Sequence, residues 1–230
     1  MMRLLSVSIL LCWTHWAQAT SLSIEVVDNE GRPVSDAVAV AVAVATDPQG
    51  VSLAPTPTTP TTPTTPTTPE APITLDQIAK QFVPGLLVVP VGARVSFPNR
   101  DQTRHQVYSV SAAKPFELPL YGGGDIPFVI FDKPGPVALG CNIHDWMRAY
   151  VYVADSPWFA QTDATGHAVI TLPVGHYTVQ LWHSRLAVGA DVTPIEVVVS
   201  ADTPAVAHWQ VSLKPPFAPH RAPVGGGRGY

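Results

Sequence analysis

The chain is poor in charge, in cysteine and in long apolar runs. Only 13% of its 230 residues are charged, and 13 Lys and Arg face 17 Asp and Glu. Cations this few and this scattered make no basic stripe, which excludes a nucleic-acid-binding footprint. A membrane-spanning helix needs roughly 20 apolar residues in a row. No stretch reaches that length, so no transmembrane anchor is expected. Cysteine occurs twice, as Cys12 and Cys141, too few for a disulfide framework.

The N-terminus has a basic residue at Arg3, a short apolar run over 4–13 and the small-residue ending Ala17-Gln18-Ala19. This is the pattern of a secretory signal peptide. Cleavage is expected near Ala19, which places the mature chain in the periplasm. Cys12 follows the large residues Leu10 and Leu11 and does not fit a lipidation site. Its removal leaves Cys141 as the single thiol. In an exported protein such a thiol is inert and buried, or bridged between chains, or held by a bound species.

What the chain has in excess is Pro (25 residues), Val and Thr, which favours strands and turns over helices. The segment 22–27 alternates like a strand, a turn follows at 29–33, and in 38–44 every second residue is Val with Ala between. These two runs read as a strand pair whose second member must be covered, because a charge-free edge of this kind invites aggregation. Residues 48–72 form a Thr/Pro-rich tract, too polar and repetitive to bury a core, and are expected to be an extended linker. Strand candidates resume at 82–90, 93–97, 106–110, 128–131, 137–140 and 148–153, with only a hint of helical turn over 73–81. The segment 167–182 reads as a hairpin turning at Pro173-Val174-Gly175, and 194–200 and 206–213 add two strands. The Pro- and Gly-rich tail 214–230 is expected to be disordered. Short strands at close spacing with Gly/Pro punctuation predict an all-β sandwich architecture.

The chemistry concentrates in Gly140-Cys141-Asn142-Ile143-His144-Asp145-Trp146-Met147-Arg148, where Cys, His and Met recur at intervals of three. A tight loop between strands can aim all three side chains at one point. Thiolate, imidazole and thioether together suit copper. Zinc sites rarely use a thioether, and hard cations prefer oxygen ligands. The absence of Cys-x-x-Cys-His excludes c-type haem, and a binuclear copper centre would need a second nearby Cys. A blue-copper centre needs another imidazole. His105, at the end of the loop 99–105, supplies it.

The motif 91–101 followed by His105-Gln106-Val107 resembles the strand and first-histidine loop of small cupredoxins, and Cys-x2-His-x2-Met-Arg resembles the short ligand loop of amicyanin. The resemblance implies His105, Cys141 and His144 as equatorial ligands of one type 1 copper ion and Met147 as the axial one. It covers roughly 73–155. Gln106 departs from the family, which usually has an Asn there that ties the two ligand loops together. The wider pattern, with Phe97-Pro98-Asn99, Leu120-Tyr121 and Trp182-His183, is similar to exported proteins labelled "methylamine utilization protein". That likeness implies a cupredoxin-like Greek-key sandwich set inside a second sandwich resembling carboxypeptidase regulatory domains. The divisions it implies are 1–19 (signal), 20–47 (N-terminal strands of the second sandwich), 48–72 (linker), 73–155 (cupredoxin-like), 156–213 (rest of the second sandwich) and 214–230 (tail).

The function implied is periplasmic one-electron transfer with a cytochrome c or a periplasmic dehydrogenase as partner. Copper storage or delivery without redox turnover, and a structural module with a vestigial loop, stay open. No catalysis is expected, because no third group is evident to orient a Cys141/His144 nucleophile pair. His167, His176, His208 and His220 read as solvated or structural, His183 as packing, and Asp101 and Asp145 as loop residues. Trp146 fills the core or caps His144.

Overall fold

The computed structural model describes residues 19–44, 72–186 and 192–216. Residues 1–18, 45–71, 187–191 and 217–230 lie outside the described residues, and with them the expected signal peptide, nearly all of the expected linker and most of the expected tail. Among the described residues the fold is all-β, and no helix is long and apolar enough to cross a membrane.

In chain order the strands are β1 (Ala19–Asp28), β2 (Val38–Ala43), β3 (Ile73–Thr74), β4 (Asp76–Ile78), β5 (Gln81–Val83), β6 (Leu86–Pro90), β7 (Ala93–Ser96), β8 (His105–Ser109) and β9 (Phe116–Tyr121). There follow β10 (Phe128–Phe131), β11 (Gly135–Cys141), β12 (His144–Ala154), β13 (Trp158–Gln161), β14 (His167–Pro173), β15 (Gly175–Trp182), β16 (Ile195–Val199) and β17 (Ala205–Val211).

Two sandwiches result. In one, the sheet β14-β1-β17 faces the sheet β13-β2-β15-β16. Its core takes Leu22, Ile24 and Val26 from β1 and Tyr177 and Val179 from β15, all at most 1% exposed. Each large apolar side chain buried this fully contributes about 1.5–3 kcal/mol. In the other, the sheet β6-β12-β11-β8-β9 faces β10-β7-β3, with Greek-key crossovers between non-consecutive neighbours. Its core includes Phe97, Val107, Phe131, Val137 and Val151.

The alternation of β2 settles how the sandwiches meet. Ala39 and Ala41 face the core of their own sandwich. Val38 and Val40 face the other way and pack, with Val42, Phe159 and Trp182, against Leu86, Val88, Tyr152 and Ala154 of the second sandwich. The small residues allow close sheet packing on one side, and the β-branched ones fill the interface on the other. The covered state that this charge-free run requires is therefore supplied by the neighbouring sandwich.

Four expectations are corrected. The runs 22–27 and 38–44 do not pair with each other: β1 pairs with β14 and β17, and β2 with β13 and β15. The segment 167–182 is not a hairpin either. β14 and β15 lie in opposite sheets, because the bend at Val174 carries the chain across the sandwich, and both strands then point apolar side chains into one core. Finally, 73–81 contains no helical turn. It forms β3, β4 and the start of β5, with β4 and β5 paired as a hairpin whose tip residues Ala79 and Lys80 have positive φ of 52° and 58°. Two consecutive left-handed residues are what a tight hairpin turn requires. The strand foreseen over 82–90 is also split, into β5 and β6, around Pro84.

Candidate metal centre

His105 opens β8, where the burial alternates strictly, so it points inward in phase with Val107 and Ser109. Cys141 ends β11 and His144 begins β12, separated by the turn residues Asn142 and Ile143. The β11–β12 ladder slips here: Gly140 pairs with Arg148, but Cys141 pairs with His144. The extra residues 145–147 form an irregular bulge, a device that re-aims side chains at the end of a ladder. It turns Met147 into the core at 1% exposure and leaves Asp145 in solvent. The β8–β9 ladder is also irregular between His105 and Val107.

These devices bring three donors together. Nδ1 of His105 and Nδ1 of His144 are 3.2 Å apart, and Cys141 Sγ is 3.7 Å from His144 Nδ1. One ligand atom from each of the three residues lies within 4.8 Å of the others. His105 is 0% exposed, Cys141 5% and His144 8%. Met147 shares the core cluster with Cys141 and lines the same surface groove of 530 Å³. All four residues singled out in the sequence therefore belong to one end of one sandwich.

The surroundings set the chemistry of each imidazole. Asp101 Oδ2 lies 2.7 Å from His105 Nε2. Asp101 also accepts the backbone N–H of Ala79 on Oδ1 (2.7 Å) and that of Lys80 on Oδ2 (2.8 Å). Partial burial opposes its ionisation, but the Lys80 amide, the His105 ring and the Ala79 amide outweigh this, and its pKa lies below the ordinary carboxylate value. An ionised carboxylate only accepts hydrogen bonds. His105 Nε2 therefore donates its N–H to Asp101, and Nδ1 is the ring nitrogen turned toward the cluster. For His144, burial first, then the charges of His105 and Lys80, lower the pKa against a smaller opposing effect of Asp101. The lowered pKa of His144 favours an imidazole able to donate a lone pair at neutral pH.

Asp101 was read from sequence as a plain loop residue, and its grip on His105 is what that reading missed. The available signal was the four-residue spacing Asp101–His105. Gln106 does not take the loop-tying place: its amide donates to Glu117 on the outer face. Asn99 instead braces the first-histidine loop and ties it to β9, donating to the carbonyls of Thr103 (2.9 Å) and Tyr121 (3.0 Å) while its Oδ1 accepts the Asp101 N–H. Trp146 is half-buried with its ring centroid 5.1 Å from that of His144, and its indole N–H donates to the Lys80 carbonyl at 3.1 Å. It thus both packs against the core and covers His144. His183 is buried and its Nδ1 accepts the Arg185 N–H, as befits a packing residue.

A buried thiol with two imidazoles fits copper: the ligand set is soft, of the right number, and its Nδ1 atoms already face inward. Among the described residues this is the one group of three or more His, Cys, Asp or Glu side chains that could hold a metal ion.

No protein-family sequence model matches the chain, and no curated protein matches it. Among solved structures, the chain is similar to a copper-containing nitrite reductase from Thermus scotoductus SA-01, with 30% identity over 36% of this chain and a TM-score of 0.35. The match spans 22% of the reductase. It is also similar to amicyanin, for example to the reduced Cu(I) form of a point mutant at pH 4, at 24% identity, covering 36% of this chain and 83% of amicyanin with a TM-score of 0.35. A second amicyanin mutant in its reduced state aligns at 26% identity over 36% of this chain and 82% of its own, at a TM-score of 0.34. In each case the likeness is confined to 36% of this chain.

Proposed function

We propose that this is an exported protein that holds one type 1 copper ion and carries single electrons in the periplasm. The observation that carries the reading is the convergence of His105 Nδ1, His144 Nδ1 and Cys141 Sγ in one buried cluster. His105, Cys141 and His144 would hold the ion, with the Met147 thioether as the further ligand. Bound there, copper would supply a Cu(I)/Cu(II) couple.

The protein's own contribution is preorganisation. His105 is locked by Asp101, His144 is packed against Trp146, and Cys141 is anchored at a ladder end. Ligands held this firmly rearrange little between oxidation states, which keeps electron transfer fast. Water is excluded from His105 entirely, whereas His144 keeps 8% exposure beside half-exposed Ile143, so His144 is the edge that reaches the surface. A redox partner, such as a cytochrome c or a periplasmic dehydrogenase, would dock there. The Asp101 carboxylate is bonded to His105 rather than to His144, the member of the Cys141–His144 pair that a triad would orient.

Loading the mature protein with Cu(II) should give an intense visible thiolate-to-copper band, and voltammetry should give a reversible one-electron wave. Tight Cu(I) binding with poor reoxidation and transfer of copper to an apo-acceptor would replace the carrier role by storage or delivery.

A further inference from the structure

The β4–β5 hairpin is remote in sequence from both histidines, yet its tip touches partners of each. Its body is docked on the loop before His105: Gln77 N–H donates to the Pro98 carbonyl (3.0 Å) and Arg100 N–H to the Gln77 carbonyl (2.9 Å). The Arg100 guanidinium pairs with Asp76 at 3.0 Å. At the tip, the Ala79 and Lys80 amides are taken by Asp101, whose Oδ2 also holds His105. On the far side of the same residue, the Lys80 carbonyl accepts the Trp146 indole N–H, and the Trp146 ring lies against His144. Lys80 thus links the support of one imidazole to the support of the other. The line runs from His105 through Asp101, Lys80 and Trp146 to His144, and closes where the two Nδ1 atoms face each other at 3.2 Å.

Resting on the reading of this cluster as a copper centre, we propose that the Ala79–Lys80 hairpin tip is a cross-tie that positions both histidine ligands from outside, with Asp101 and Trp146 as its positioning residues. The geometry requires the positive φ of Ala79 and Lys80, which turns two successive amides toward one carboxylate while the next carbonyl faces the indole. A carboxylate on the far nitrogen of a ligating imidazole fixes its orientation and raises its donor strength. The cross-tie therefore favours Cu(II) over Cu(I) and holds the site shaped before metal arrives. Supports outside the ligand set of this kind typically change metal affinity by about 10–100-fold.

The test is a double-mutant cycle with Asp101→Asn and Trp146→Phe, read out in the metal-free and the copper-loaded full-length mature protein. Asp101→Asn should lower Cu(II) affinity about 10–100-fold. It should also raise the reduction potential by about 59 mV for each tenfold loss not shared by Cu(I). Trp146→Phe keeps a ring on His144 but loses the bond to Lys80, and should act in the same direction. The two effects should be non-additive, because releasing the tip at either end frees both. In the metal-free protein the buried His105 Nε2 proton, held by Asp101, should exchange slowly, and Trp146→Phe should speed that exchange, although Trp146 acts on His105 only through Lys80 and Asp101. Additive effects on affinity, or unchanged exchange at His105 in Trp146→Phe, would overturn the cross-tie. Should Asp101→Asn fail to fold, the exchange measurement on Trp146→Phe still decides. A wild-type protein that binds copper without a thiolate band would sink the blue-copper reading instead, and it leaves the exchange result to be judged on its own.

Discussion

Nδ1 of His105 and Nδ1 of His144, 39 residues apart in sequence, stand 3.2 Å from each other inside the sandwich. Two imidazole nitrogens that face each other at that distance are complemented by a proton or a cation between them. Asp101 engages the opposite nitrogen of His105, which leaves His105 Nδ1 to accept from a His144 N–H or to bind a cation.

Metal binding to such a site should stabilise the fold by linkage. At free copper about 100-fold above the dissociation constant, the gain is about 2.7 kcal/mol. Urea denaturation of metal-free and copper-loaded protein should show this, and the gain should shrink strongly in Cys141→Ser. Coincident curves for the two wild-type forms would contradict it.

Gly140 marks the floor of the Cys141 strand. A Cβ there would lie 2.9–3.0 Å from Cζ, Cε1 and Oη of Tyr108. The Tyr108 ring occupies the space a side chain would take, so Gly140→Ala should cost about 1–3 kcal/mol by overpacking. Truncating the ring in a Tyr108→Ala background should recover most of that loss relative to Tyr108→Ala alone. An equal cost in both backgrounds would show that the ring is not what constrains the site.

The two sandwiches should unfold together. Trp182 of one packs its ring 5.1 Å from Tyr152 and 5.6 Å from Tyr150 of the other. Removing a ring at such a contact costs about 3 kcal/mol. Calorimetry of Trp182→Ala should therefore resolve two transitions where the wild type shows one. A single, merely shifted transition would mean that the sandwiches are coupled by something else.

Acid sensitivity should have a contribution from the turn before β14. Asp163 accepts the Thr165 hydroxyl (2.6 Å) and the amides of Thr165 (2.8 Å) and His167 (3.2 Å). The Thr165 hydroxyl first, then the His167 and Thr165 amides, lower its pKa below the ordinary 3.8. A carboxylate with a depressed folded pKa stabilises fully above its unfolded value and loses that stabilisation as pH falls through the folded one. Asp163→Asn should thus be less stable than wild type at neutral pH, with the gap closing below about pH 3.8. Parallel stability curves across that range would rule this contribution out.

Much of this was legible because it is local. Cys141, His144 and Met147 lie within one turn and one bulge, and their spacing alone suggests a shared target. His105 could be added because such a centre needs another imidazole and its loop resembles a first-histidine loop; the structure places it in phase with Val107 at the start of β8. The Val/Ala alternation of β2 disclosed a strand that had to be covered, and the strand is indeed buried on both faces. What escaped the sequence is held by distant partners. The hairpin tip at Ala79–Lys80 read as a helical turn because the carboxylate that satisfies its amides comes from Asp101, more than twenty residues later. The crossing at Val174 read as a hairpin because Pro-Val-Gly punctuation marks a turn without saying whether the chain stays in its sheet. Trp146 was open to reading as a cap on His144, but Asp101 became part of the centre only when the tip between them was in place.

The most direct measurement is the optical and EPR spectrum of the copper-loaded mature protein beside its Cys141→Ser variant. The account predicts an intense visible band and the narrow copper hyperfine splitting of a thiolate-bound Cu(II), both lost in the variant. A colourless copper-loaded wild type with its thiol intact would contradict it.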